Sequence, residues 1–293
     1  MPSKTPQLKS ASGAGFTFED KVTALLFCEM LTGKPSLGAD WGIIDRIERQ
    51  AGDWEPFGDL LLTVPNTDGK IVKCGCSVKS NRQITANGCD TEMRDNLWNV
   101  VAKPVFNLEA DALGLFCAEL SKNVSQPLNE LCQQARNEDT PHRFDAKISD
   151  KKHRKIYSSF ASTSISGEKG LPHHILSRLV PREFDFEDAT SRDEATGIRL
   201  CLEILQPATS TAEKSRELWK ALLDIALELR ITGGSTTRER LMAKLRNRFQ
   251  LRDDPSDVKV WENIHTLSRE WMDQIEARLP GGLMAAASLG ASA

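Results

Sequence analysis

Phe57-Gly-Asp-Leu-Leu-Leu-Thr-Val64, a turn, then Ile71-Val-Lys-Cys-Gly-Cys-Ser-Val-Lys-Ser80 is the stretch that decides how the chain is read. Successive strand residues point to opposite faces, so alternation sorts these side chains into two sets. Leu60, Leu62 and Val64 share one face, while Phe57, Asp59, Leu61 and Thr63 share the other. Asn66 to Gly69 is rich in turn formers and ends in Asp-Gly, which predicts a hairpin connection. On the return strand Val72, Cys74, Cys76 and Val78 form one face, and Gly75, Ser77 and Lys79 the other. Pairing Val64 near Lys70 sets Asp59 opposite Gly75 and Lys79 opposite Glu55, with Gly75 leaving room beside the carboxylate. A carboxylate and an ammonium then share a polar face, an arrangement suited to metal-dependent phosphodiester chemistry. An ordinary hairpin with a charged outer face fits the same residues.

Upstream, Phe16-Thr-Phe-Glu-Asp-Lys-Val22 opens an amphipathic helix running to about Leu31, with Phe18, Val22, Leu25 and Leu26 as its apolar stripe. Thr17 and Asp20 form a loose capping box, and Glu19 sits in the first turn, where the helix dipole favours a carboxylate. The segments Gly15-Phe16-Thr17-Phe18-Glu19, Gly58-Asp59-Leu60-Leu61 and Ser77-Val78-Lys79-Ser80-Asn81 together carry a family likeness. The pattern, a helix with Glu and then a hairpin with Asp and an (E/Q/S)-x-K signature, resembles the PD-(D/E)XK nuclease superfamily. Within it the likeness is to the Mrr-like and Cap-type nuclease domains at the N-termini of bacterial antiviral STAND ATPases, and it covers about the first half of the chain.

The resemblance implies an α/β fold: a restriction-endonuclease-like core, a mixed sheet flanked by helices, followed by an all-α helical domain. It implies that Asp59 binds a divalent metal together with the backbone carbonyl of Val78, and that Glu19 completes or orients that site. Lys79 would steady the attacking water and the scissile phosphate. Ser77 stands where many relatives carry Glu or Gln, and a hydroxyl is a weaker magnesium ligand than a carboxylate. Glu55 is a reserve ligand. Magnesium is the implied cofactor, with manganese as the alternative ion. The implied activity is a metal-dependent endonuclease effector acting on double-stranded DNA in bacterial antiviral defence. The competing reading is a catalytically inactive nuclease-fold module for DNA binding or for assembly with a STAND ATPase. The implied partners are double-stranded DNA, a fused or separately encoded ATPase and sensor module, and further copies of the chain when active.

Composition fits one to two ordinary domains: 293 residues, 40% hydrophobic and 27% charged. No apolar run is long enough to span a bilayer and no signal peptide opens the chain, which predicts a cytoplasmic protein without membrane contact. Seven cysteines, an odd number, point to reduced thiols. Cys74 and Cys76 lack zinc-ribbon spacing and read as small buried hydrophobes. A net charge of −3 gives no overall electrostatic footprint for nucleic acid. Local runs differ. Lys151, Lys152, Arg154 and Lys155 form a basic cluster that, with Asn81, would track a DNA backbone, whereas the cations between Arg238 and Arg252 have no assigned role.

Residues 1–15 read as disordered, 16–165 as the nuclease-like domain, 171–279 as a helical connector or assembly domain, and 280–293 as a disordered tail. Thr91 to Lys103 reads as helical and Ala112 to Ala118 as a buried strand. From Leu171 onward helices are expected over Ile175–Val180, Asp193–Leu205, Ala212–Arg230, Thr236–Phe249 and Asp257–Ala277, with Gly233-Gly234 ending the third. A helix-turn-helix around that glycine turn and a plain helical bundle are the two readings of this half. No G-x-x-x-x-G-K-(S/T) segment and no G-x-S-x-G elbow occurs, and the histidines are scattered.

Overall fold

A computed structural model describes residues 16–38, 41–65, 70–80, 84–186 and 191–252. The opening segment forms helix α1 (Phe18–Leu31), with Thr17 as N-cap and the expected capping box to Asp20. Strand β1 (Arg46–Arg49) follows, then the hairpin of β2 (Leu60–Pro65) and β3 (Ile71–Lys79). A two-stranded ribbon, β4 (Ile84–Thr85) and β5 (Gly88–Cys89), leads into α2 (Thr91–Val101) and then strand β6 (Ala112–Ala118). Next come α3 (Lys122–Asn137), α4 (Pro141–Lys147), α5 (Lys151–Ser159), the single turn α6 (His173–Leu176) and strand β7 (Leu179–Phe184). The described chain closes with α7 (Arg192–Ile204), α8 (Ala212–Thr232), β8 (Ser235–Thr237) and α9 (Arg238–Arg246).

The six-stranded sheet has the order β7-β6-β3-β2-β1-β8. Strands β3, β6 and β7 run parallel, while β2, β1 and β8 continue the sheet with antiparallel pairings. Helices cover both faces. Leu60, Leu62, Val64, Cys74, Cys76 and Val78 belong to the core beneath α1, α7, α8 and α9. Leu61, Leu113 and Leu115 belong to the core beneath α2 to α6. This is the α/β architecture with a mixed sheet flanked by helices that the hairpin and its flanking helix predict.

Three expectations change. The hairpin register is two residues from the expected one, with Leu61 opposite Gly75 and Val64 opposite Val72. A shift of two leaves every side chain on its face, so the inside-outside assignment survives. The room beside Gly75 goes to an indole: a Cβ there would lie 2.3 Å from Trp54 Cε3.

Strand structure also continues beyond Leu171, since Leu179–Phe184 is a strand, not the end of a helix. Pro181 and the Arg182-Glu183 pair hide it from a pattern reading. Pro181 is tolerated because β7 is a sheet edge. The charges are absorbed by Glu29, whose Oε2 lies 2.8 Å from Arg182 Nη1, and by the Leu120 amide, which donates to Glu183 Oε2 at 2.7 Å.

Finally, the described part of the second half forms no separate helical domain. The described residues up to Arg252 are one compact unit. Helices α7 and α8 bury Leu200, Cys201, Leu218 and Leu222 against α1, and β8 pairs with β1. A strand stands where a helix-turn-helix would need its turn, which removes that reading. Gly233 ends α8 in the left-handed conformation, as expected of a glycine C-cap. The helix expected over 257–277 and both termini lie outside the described residues.

Candidate functional site

Asp59 precedes β2 and Lys79 ends β3, so antiparallel pairing brings them to the same end of the sheet. Asp59 Oδ2 accepts hydrogen bonds from the Val78 amide at 2.9 Å and from Lys79 Nζ at 2.7 Å. Both side chains are partly exposed, at 22% and 35%. Chemically this corner offers a carboxylate held by one amide and one ammonium, open to a polar ligand.

The first turn of α1 reaches the same region through three consecutive charged residues, each bound to a different element. Glu19 Oε2 accepts from Arg49 Nη2 of β1 at 3.0 Å. Asp20, fully buried, forms a two-point pair with Arg230 of α8 at 2.8 and 3.0 Å. Lys21 lies 3.3 Å from Glu194 of α7 and 3.4 Å from the Phe186 carbonyl oxygen. Arg49 is only 1% exposed and also donates to Thr23 Oγ1 at 2.6 Å. Burial lowers its pKa from the ordinary guanidinium value, and the fields of Glu19, Asp20 and Asp59 oppose that pull.

Asp59 and Lys79 thus meet directly, and Arg49, the partner of Glu19, stands opposite Leu60, the neighbour of Asp59 in the chain. Their partners differ from the expected ones: Glu19 is committed to Arg49, and Asp59 to Lys79 and the Val78 amide. Among the described residues no three His, Cys, Asp or Glu side chains gather as a metal site. Ser77 is 4% exposed and lies within the sheet interior.

Lys151, Lys152, Arg154 and Lys155 start α5, which packs on the core of α2 to α6. Two of these cations have local partners. Arg154 donates to the Ile148 carbonyl oxygen at 2.6 Å, and Lys155 to Asn87 Oδ1 at 2.8 Å. Asn81 lies outside the described residues. Cys74 and Cys76 are fully buried with their Sγ atoms 3.7 Å apart, as their reading as small hydrophobes requires.

Sequence reasoning missed a groove beside α1's first turn. Phe16, Phe18, Lys21, Ser80, Ala118, Phe184 and Phe186 line a cavity of about 220 Å³. Ser80 follows β3, Ala118 ends β6 and Phe184 ends β7, so the groove lies at the carboxyl ends of the three parallel strands. Phe184 and Phe186 stack with ring planes 10° apart, and Phe18 meets both edge-on. Lys21 Nζ lies 5.8 Å from the Phe186 ring centre. The signal available in the sequence was Phe-Asp-Phe at 184–186, which repeats the spacing of Phe16-Thr17-Phe18.

No protein-family model matches the chain, and no curated protein matches it. Among solved structures it is similar to the Acinetobacter baumannii Cap4 SAVED/CARF-domain containing receptor with the cyclic trinucleotide 3′3′3′-cAAA. The TM-score is 0.50 at 12% identity, covering 81% of this chain and 46% of that one. The same receptor with 2′3′3′-cAAA gives the same values. The Moraxella osloensis Cap4 SAVED/CARF-domain containing receptor matches at a TM-score of 0.44 and 14% identity, over 81% of this chain and 49% of that one. The chain thus spans about half the length of the receptors it matches. At this identity the likeness shows a shared fold.

These findings correct the expected family. The matched structures are cyclic-trinucleotide receptors, not PD-(D/E)XK nuclease domains, and the DNA endonuclease reading falls with that resemblance. So does its alternative, a nuclease-derived module for DNA binding or ATPase assembly. The ligand held by those receptors is a cyclic trinucleotide, not the double-stranded DNA expected as partner. No described helix is long and apolar enough to cross a membrane.

Proposed function

We propose that this chain is a module of a cyclic-oligonucleotide receptor, and that it engages ligand at the rim where α1 begins and β3, β6 and β7 end. The observation that carries this reading is the architecture it shares with a receptor solved around 3′3′3′-cAAA and 2′3′3′-cAAA. The rim's own chemistry supports it. Ligands of open α/β sheets collect outside the carboxyl ends of parallel strands. Aromatic side chains stack on bases of any sequence, and Lys21 and Lys79 stand at this end as ammonium groups, each in an ion pair that a phosphate could replace. An antiviral-defence setting belongs to this proposal and not to the fold.

Calorimetric titration of the chain with 3′3′3′-cAAA tests it, with linear tri-adenylate and duplex DNA as comparison ligands. Saturable binding that prefers the cyclic form is expected, with Tm raised by about 5–10 °C at a hundredfold excess over Kd. Absence of heat and of any Tm shift at millimolar cyclic trinucleotide overturns the reading.

The Asp59–Lys79 contact favours a second reading, hydrolysis of the bound ligand's own phosphodiester. Asp59 would hold a magnesium ion that keeps most of its waters, since Mg²⁺ is bound by few protein oxygens beside phosphate. Chromatography of the ligand after incubation with Mg²⁺ checks this. Linear product, lost in Asp59→Ala, supports hydrolysis; intact ligand leaves a receptor that only binds.

A further inference from the structure

We infer that the groove between α1 and β7 takes one nucleotide unit of that ligand. The base lies against Phe16, Phe18 and Phe186, and the phosphate sits on Lys21 in the place now held by Glu194. This rests on the receptor reading above and adds to it where the ligand is held and what it displaces.

Size comes first. Pockets that bury a drug-sized molecule measure roughly 300–1,000 Å³. A groove of about 220 Å³ is too small for a whole cyclic trinucleotide but suits one unit of it. Shape and charge narrow the class further. The walls are planar and aromatic, Phe184 and Phe186 already stack in parallel, and a lysine nitrogen stands 5.8 Å from the nearer ring centre. A planar group joined to an anion satisfies both features at once; a neutral ligand leaves Lys21 unused, and an aliphatic anion leaves the ring faces without a stacking partner.

The local ion pairs say which group must yield. Glu19 and Asp20 would repel a phosphate at the start of α1, but Arg49 and Arg230 neutralise them. Lys21 with Glu194 completes three balanced pairs. An incoming phosphate therefore meets no excess positive charge until it exchanges with Glu194. The lengths favour that exchange. The contacts of Lys21 are 3.3 and 3.4 Å, against 2.8 and 3.0 Å for Asp20 with Arg230 and 3.0 Å for Glu19 with Arg49. Charge-assisted hydrogen bonds shorten to about 2.7–2.9 Å when well made, so Lys21 is the least committed of the three. Sequence alone conceals this, because Glu194 lies 173 residues away.

The test titrates 3′3′3′-cAAA, and AMP as the single unit, into the wild-type chain and the variants Lys21→Gln, Glu194→Gln and Phe18→Leu. AMP binds weakly and competes with the cyclic ligand. Lys21→Gln weakens both ligands about tenfold, as loss of a hydrogen bond to a charged group predicts. Glu194→Gln tightens both by several-fold, since it removes the competitor of the phosphate and leaves Lys21 in place. A merely structural ion pair cannot produce that opposite sign. Phe18→Leu weakens both ligands through lost stacking. Wild-type binding of the cyclic ligand that all three variants leave unchanged, or a Glu194→Gln variant that binds more weakly, overturns the groove and spares the receptor reading. Absence of binding by either ligand overturns both.

Discussion

One face of the sheet is covered by α1, buried almost from end to end, with α7, α8 and α9 behind it; the other is covered by the five helices α2 to α6. Helix α1 buries eleven of its fourteen residues, from Asp20 and Val22 to Leu31, because the sheet lies on one side and α7, α8 and α9 on the other. The opposite face carries α2 to α6, which contribute Leu97, Leu128, Phe144, Ile156 and Ile175 to its core. There the helix starts are fixed locally. Asp90 caps α2, Thr140 caps α4 and Asp150 caps α5, each through a backbone amide two or three residues on. Helix α1 is capped just as locally, by Thr17, but its charged first turn also draws partners from far along the chain: Asp20 with Arg230 is a pairing across 210 residues. The α1 face thus adds long-range ion pairs to the local capping that both faces use.

The largest test of that difference is Arg230→Ala. Asp20 is fully buried, and removing its partner strands a carboxylate in the core, which costs about 3–5 kcal/mol. On the opposite face Lys147 pairs with Glu138 at the surface, and Lys147→Ala is expected to cost under about 1 kcal/mol. Urea denaturation of both variants measures the contrast. Similar losses from the two would erase the distinction between the faces.

What was legible in the sequence follows the same line. The capping box at Thr17, the alternation of β2 and β3, the buried thiols of Cys74 and Cys76 and the glycine stop at Gly233 depend on residues within a few positions of one another. All were readable. The register was readable only to within two residues, because a shift of two costs nothing in face assignment and only tertiary contact between Trp54 and Gly75 discriminates. Helix α1 read as an amphipathic helix with one apolar stripe because its second cover begins at Arg192, far outside any window of periodicity. The candidate site divides in the same way. The meeting of Asp59 with Lys79 came from strand pairing, whereas Arg49, Arg230 and Glu194 carry no local mark of their role. Of the three residues of the family signature, Asp59 and Lys79 pair directly, while Glu19 pairs with Arg49.

A glycine on each side sharpens the comparison at smaller scale. Gly75→Ala would drive its new methyl to 2.3 Å from Trp54 Cε3 and 2.9 Å from the Phe57 carbonyl oxygen, at the centre of a sheet with little freedom to shift. Overpacking of this kind costs about 1–3 kcal/mol. Gly197→Ala meets Trp219 Cζ3 at 2.4 Å between α7 and α8. That site is helical, where alanine is favoured over glycine by about 1 kcal/mol, so part of the strain is offset. The expected order is a larger fall in urea midpoint for Gly75→Ala than for Gly197→Ala. The reverse order would mean that the helix pair packs more rigidly than the sheet beneath it.

The smallest effect is a rate, and the cysteines report it without mutation. All seven described thiols are free, and they divide between the faces. Cys28, Cys74, Cys76 and Cys201 lie in the core around α1, while Cys89, Cys117 and Cys132 lie in or against the other. Burial pushes the Cys117 and Cys132 thiols up to about 12, and those of Cys28 and Cys76 well above the ordinary range. At pH 8 a thiol of pKa 12 is about one part in ten thousand thiolate, so a thiol-specific reagent must wait for the protein to open. Cys89, the one thiol not fully enclosed, is also raised, by burial and then by Asp90. Peptide-resolved labelling in low urea should therefore find Cys89, then Cys117 and Cys132, modified through partial opening of the capped helices. Cys28 and Cys201 should follow only with global unfolding, because exposing them requires α7 and α8 to leave α1. If Cys28 and Cys89 label at one common rate, both faces open together, and the ion pairs at the start of α1 hold the whole unit rather than one side of it.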